Sequence, residues 1–167
     1  MERFVSGLPR TTIEDRDRLM SMPHNILVPV VATDASLEAV TVAALIAKAK
    51  KGRVYVAHII EVNRGLPLNA ELDAEARRGE QLIRRAEELA LQSAGFPVTG
   101  TLLQAREAGA AIIEEAIDHD VDAIVVGAPP ASVGRPGRTV DYLLKHATCA
   151  VWVVRQSMVP REPHHHE

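Results

Sequence analysis

The stretch from Gly127 to Thr139, GAPPASVGRPGRT, gathers three glycines, two arginines and two hydroxyl side chains immediately before a helical pattern. Such residues can receive an anion. Glycines such as Gly127, Gly134 and Gly137 let backbone amides approach it, a helix start offers unpaired N–H groups, and Arg135 or Arg138 supplies charge beside Ser132 and Thr139. The same composition also makes an ordinary surface turn, in which Gly and Pro only reverse the chain. Position in the fold has to decide between the two.

Other reactive side chains form no convergent set. His58 and His146 fall within a strand and a helix, and read as packed histidines with no nucleophile beside them. Cys149 opens an apolar run and reads as a small hydrophobe, since neither a second thiol nor a cationic cluster accompanies it. Glu114 and Glu115 are adjacent on one helix and are expected to face solvent. His164, His165 and His166 lie in a terminal tail, where a metal would find no fixed geometry. The sequence has no GxSxG elbow, HExxH pair, CxxC or Walker lysine. No catalytic residues and no metal site are expected, and a weak ATPase ranks last because neither a water-positioning residue nor a metal ligand is evident.

The elements that position the Gly127–Thr139 loop follow from periodicity. NILVPVV (25–31), RVYVAHII (53–60), PVTGTLLQA (97–105), DAIVVGA (122–128) and CAVWVVR (149–155) read as strands, the first continuous and β-branched as a strand buried on both faces should be. Helical patterns lie between them. One begins after a cap at Asp34 or Ser36 and ends at Gly52; a second runs from about Glu71 to Ser93 and stops at Gly95. In a third, AGAAIIEEAIDH, Ile112, Ile113, Ala116 and Ile117 point inward; the fourth is TVDYLLKHA. The connection EVNRGLPLNA, with Gly65 and Pro67, reads as a mobile loop. Strict alternation with right-handed crossovers predicts an α/β fold: an open five-stranded parallel sheet of flavodoxin-like or Rossmann-like type, strand order 3-2-1-4-5, with helices on both faces. Ligands in such sheets bind beyond the strand carboxyl ends where the order reverses, here between the first and fourth strands, so the turns at Val31–Asp34 and Gly127–Thr139 meet there.

Composition agrees. The chain has 167 residues, is 47% hydrophobic but only 3% aromatic, and must fill its core with Val, Ile, Leu and Ala. Its organisation is expected to be an N-terminal arm (1–24), one folded domain (25–155) and a flexible tail (156–167). A net charge of −3 without a basic tract argues against nucleic acid as a partner. One cysteine, no leader-like opening and no apolar run near the ~20 residues of a membrane span point to a cytoplasmic protein without membrane insertion.

Taken in order and spacing, ILVPV, VATDAS, VYVAHII, DAIVVGA and GRTVDYLLKHATCAVWVVR resemble the universal stress protein family over residues 25 to 155. The resemblance implies a stress-response or signalling module holding an adenine nucleotide, ATP, AMP or a cyclic form, with or without Mg. In that family an acidic residue follows the first strand, and the fourth strand leads into Gly, two residues, Gly, nine residues, Gly and then Ser or Thr. Gly127 matches the first glycine and Gly137 the last; Pro130 replaces the second, six residues separate it from Gly137, and Arg138 stands at the hydroxyl position with Thr139 after it. Val31 replaces the acidic residue, Ala32 follows it, and Ile59 matches a position whose backbone contacts adenine.

The resemblance further implies a homodimer through the last strand, with Val151, Trp152 and Val153 at the interface or Trp152 packed beneath the N-terminal arm. The missing acidic residue and the GLPL connection are similar to a subgroup attached to amino-acid permeases, which suggests a free-standing relative acting on a membrane transporter. The alternative function is therefore an interaction domain that binds no nucleotide.

Overall fold

The computed structural model describes residues 22–130 and 137–156. Ser132, Gly134, Arg135 and His164 to His166 lie outside the described residues, as does most of the proposed N-terminal arm. The chain runs β1 (Asn25–Pro29), α1 (Asp34–Lys50), β2 (Arg53–Glu61), α2 (Asp73–Ala94), β3 (Thr99–Ala105), α3 (Ala108–Asp118), β4 (Ala123–Ala128), α4 (Arg138–His146) and β5 (Ala150–Arg155). The five strands form one parallel sheet in the order β3-β2-β1-β4-β5, the topology the alternation predicts.

Alternation along β1 explains why both faces are apolar. Ile26, Val28 and Val30 join the core beneath α1 and α2, whereas Leu27 joins Ile112, Ala116 and Leu143 beneath α3 and α4. The small side chains Ala39, Ala43, Ala44 and Ala47 let α1 lie close against the sheet.

The amino ends of the strands are fastened by one carboxylate. Asp122, just before β4, accepts from the His24 and Asn25 N–H groups, each at 2.8 Å, and so sets β1 beside β4. The α1 helix closes with Lys51 in the left-handed region, after which the Gly52 N–H reaches the Ala47 carbonyl at 2.9 Å. Arg53 then donates to the His24 carbonyl at 3.0 Å, opening the β1–β2 ladder.

Several local expectations are corrected. Thr33, rather than Asp34 or Ser36, caps α1, because the Ser36 side chain is buried and committed to the preceding turn. Ile117 is 60% exposed, while Glu115 is turned in to 13% exposure, where its carboxylate meets His119 at 3.0 Å and His119 stacks on Tyr55. His146 is exposed and lies against the Tyr142 ring instead of packing inside. The β2–α2 connection is tied down by Arg106, whose guanidinium donates to the carbonyls of Val62, Asn63 and Leu66 at 3.2, 2.6 and 2.8 Å. Trp152 is half-buried and, with Val154, packs against the core beneath α1.

Candidate functional site

A crevice opens where β1 and β4 part. Their ladder runs only from Ile26/Ala123 to Leu27/Ile124, whereas β1 follows β2 as far as Pro29/Ala57. Proline ends the ladder: Pro29 has no N–H for a further rung, which is why β1 stops there rather than at Val31. The Ser36 hydroxyl serves the backbone beyond it, accepting from the Val31 N–H at 2.9 Å and donating to the Pro29 carbonyl at 3.4 Å. Every buried polar side-chain atom among the described residues is satisfied.

The resulting cavity has a volume of about 400 Å³. Ala57, Ile59, Ile112 and Val126 make an apolar floor; Val31, Pro129 and Pro130 line it from the strand ends, and Gly137, Arg138 and Thr139 from the start of α4. Of the residues selected from sequence, Val31, Ile59, Gly127, Gly137, Arg138 and Thr139 are brought together here. Ala32 is not; it lines a separate depression with His58, Glu75 and Arg78 on the α2 side.

The two described glycines of the loop motif differ physically. A Cβ on Gly127 would lie 2.5 Å from the Ala35 carbonyl carbon and oxygen and from the Ser36 nitrogen, so this glycine admits the first turn of α1 against β4. A Cβ on Gly137 would meet nothing within 4 Å, so packing places no demand on it.

All four helices begin at this end of the sheet, and the three that line the crevice are capped differently. The Thr33 hydroxyl accepts from the Ser36 N–H at 3.3 Å on α1, and Glu61, the last residue of β2, accepts from the Ala108 N–H at 3.0 Å on α3. Gly137 gives α4 no side-chain cap, and among the described residues no other side chain supplies one. Its amides and positive dipole end thus face the crevice, with Arg138 as first helical residue. Arg138 is 90% exposed and lies 3.7 Å from Glu61.

Sequence reasoning missed Glu61. Its only signal is a carboxylate ending a buried strand at the ligand-binding edge, a place where charge needs a local reason. The arrangement can hold a flat apolar body on its floor and an anion at α4. Among the described residues it brings no acid and base together. Cys149 lies at the opposite end of the sheet, and burial pushes its thiol above the ordinary value, which disfavours the nucleophilic thiolate. No group of three or more metal-ligating side chains occurs among the described residues, and none of the described helices is long and apolar enough to cross a membrane.

Comparison with known proteins agrees with the fold. Residues 22–155 match the universal stress protein family. Universal stress protein UspA from Lactobacillus plantarum is similar at 29% identity and TM-score 0.66, over 78% of this chain and 97% of that one. A universal stress protein from Archaeoglobus fulgidus in complex with dAMP shares the fold at 19% identity and TM-score 0.64, over 80% and 98% of the two chains. A universal stress protein in complex with cAMP shares the fold at 18% identity and TM-score 0.62, over 81% and 99% of the two chains. A comparison with curated proteins finds no match. With four fifths of its length matched and the same five-stranded sheet, the chain belongs to the universal stress protein family.

Proposed function

We propose that this protein is a non-catalytic stress-response or signalling module that binds an adenine nucleotide in the crevice between β1 and β4. The observation that carries this reading is an apolar cavity of about 400 Å³ beside the start of α4, which no described side chain caps and which carries Arg138. In this reading the base lies on Ile59 and Val126, the sugar passes Val31, and the phosphate meets Gly137, Arg138 and Thr139. Relatives in complex with dAMP and cAMP support the choice of ligand. Thermal shift with cAMP, AMP and ATP tests it. A single-site ligand at 100 times its Kd raises stability by about 2.7 kcal/mol, and no shift with any of the three contradicts the proposal.

One observation favours a second reading, in which the crevice is empty and the protein regulates a partner such as a transporter. Val31 is 54% exposed and gives an apolar mouth where relatives of the resemblance carry a carboxylate. The same titration separates the two.

The β5 edge is the proposed homodimer contact in either case. It pairs with β4 on one side only, and Val153 stands exposed on it beside Val151 and Trp152. Light scattering at micromolar concentration should read twice the 18.1 kDa chain mass; a single-chain mass contradicts the dimer.

A further inference from the structure

The cations around the crevice are unequally committed. Arg106 spends its guanidinium on three loop carbonyls, and Arg64 faces Glu107 at 3.5 Å. Among the described residues lining the crevice, Arg138 is the only cation and Asp34 the only anion. The partner of Arg138 is Glu61, at 3.7 Å.

Glu61 itself is fixed in place. One oxygen accepts from the first N–H of α3, at Ala108, while the other faces Arg138, in the depression that adjoins the crevice and shares Ala108, Arg138 and Thr139 with it. An exposed pair of this kind contributes little to stability and exchanges readily. An incoming phosphate therefore competes with a carboxylate for Arg138 and, once bound, sits near a negative charge that stays where it is. Each added unit of ligand charge increases that opposition.

We propose that Glu61 sets how much negative charge this crevice accepts, so that it favours a singly charged phosphodiester over a doubly charged phosphate monoester or a triphosphate. The inference rests on the nucleotide reading above and deepens it. The Glu61→Gln change isolates the charge, because the Gln side-chain oxygen still accepts from Ala108 and keeps the cap on α3.

Calorimetric titration of the full chain with adenosine, cAMP, AMP and ATP in magnesium-free buffer tests it. The unchanged protein should bind cAMP more tightly than AMP, and AMP more tightly than ATP. Glu61→Gln should tighten AMP relative to cAMP on the order of fivefold, the effect of one additional unit charge about 4 Å away in water, should tighten ATP more, and should leave adenosine alone. These gains should shrink with added salt. Arg138→Gln provides an independent arm, weakening AMP more than cAMP. Equal affinity ratios in the unchanged protein and Glu61→Gln, or equal losses for AMP and cAMP in Arg138→Gln, overturn the inference and leave the nucleotide reading standing. Binding of none of the four ligands, adenosine included, overturns both.

Discussion

Gly127→Ala is expected to destabilise the protein by about 3 kcal/mol, at the upper end of ordinary overpacking, and to abolish ligand binding in the crevice. The added methyl would lie 2.5 Å from three backbone atoms of Ala35 and Ser36. Those atoms cannot retreat cheaply, because the same turn is held by the Thr33 cap and by the bonds of Ser36 to Val31 and Pro29. Moving α1 away breaks that network and reshapes the crevice wall together. Urea unfolding measures the loss. Gly137→Ala is the contrast: with open space around the new methyl it should cost no more than about 1 kcal/mol, the usual difference between glycine and alanine before a helix. If Gly127→Ala is as mild, the close approach of α1 to β4 is wrong.

Gly52→Ala should be at least as damaging although it lies at the other end of the sheet. A Cβ there would overlap the His24 carbonyl oxygen. That carbonyl accepts from Arg53, and the His24 and Asn25 N–H groups are held by Asp122, so the strand is gripped from both sides. Relief requires giving up either the first rung between β1 and β2 or the Asp122 clasp. A loss of about 3 kcal/mol or more corresponds to a fall of about 10 °C in Tm for a chain of this size. Calorimetry showing a change under about 2 °C would refute the account of this corner.

The strands and their order were legible because parallel strands buried on both faces leave continuous apolar runs rich in β-branched residues, as Ile26 to Val30 and Ala123 to Val126 do. Order followed from the alternation and the handedness of crossovers, aided by the family resemblance. What was not legible depended on contacts distant in sequence. Helical spacing located the centre of the α3 stripe at Ile112 and Ala116 but not its edges, so Ile117 and Glu115 exchanged places. Glu115 is inside because His119 meets it there, and His119 is itself held by stacking on Tyr55 of β2. In the crevice, Val31, Ile59, Gly127 and Gly137 to Thr139 could be nominated from the chain. The roles of Ser36 and Glu61 could not, since each serves backbone that only the folded chain brings near. The glycines of the loop looked alike in sequence, and only the neighbours separate Gly127, required by packing, from Gly137, free of it.

The central claim is that the space between β1 and the start of α4 is a nucleotide site. Backbone amide shifts followed during titration with cAMP test it most directly. The account predicts saturable shifts concentrated at Val31, Ile59, Gly127 and Gly137 to Thr139, with little change around Cys149 at the far end of the sheet. Saturable shifts confined to the far end, or none at all, would contradict it.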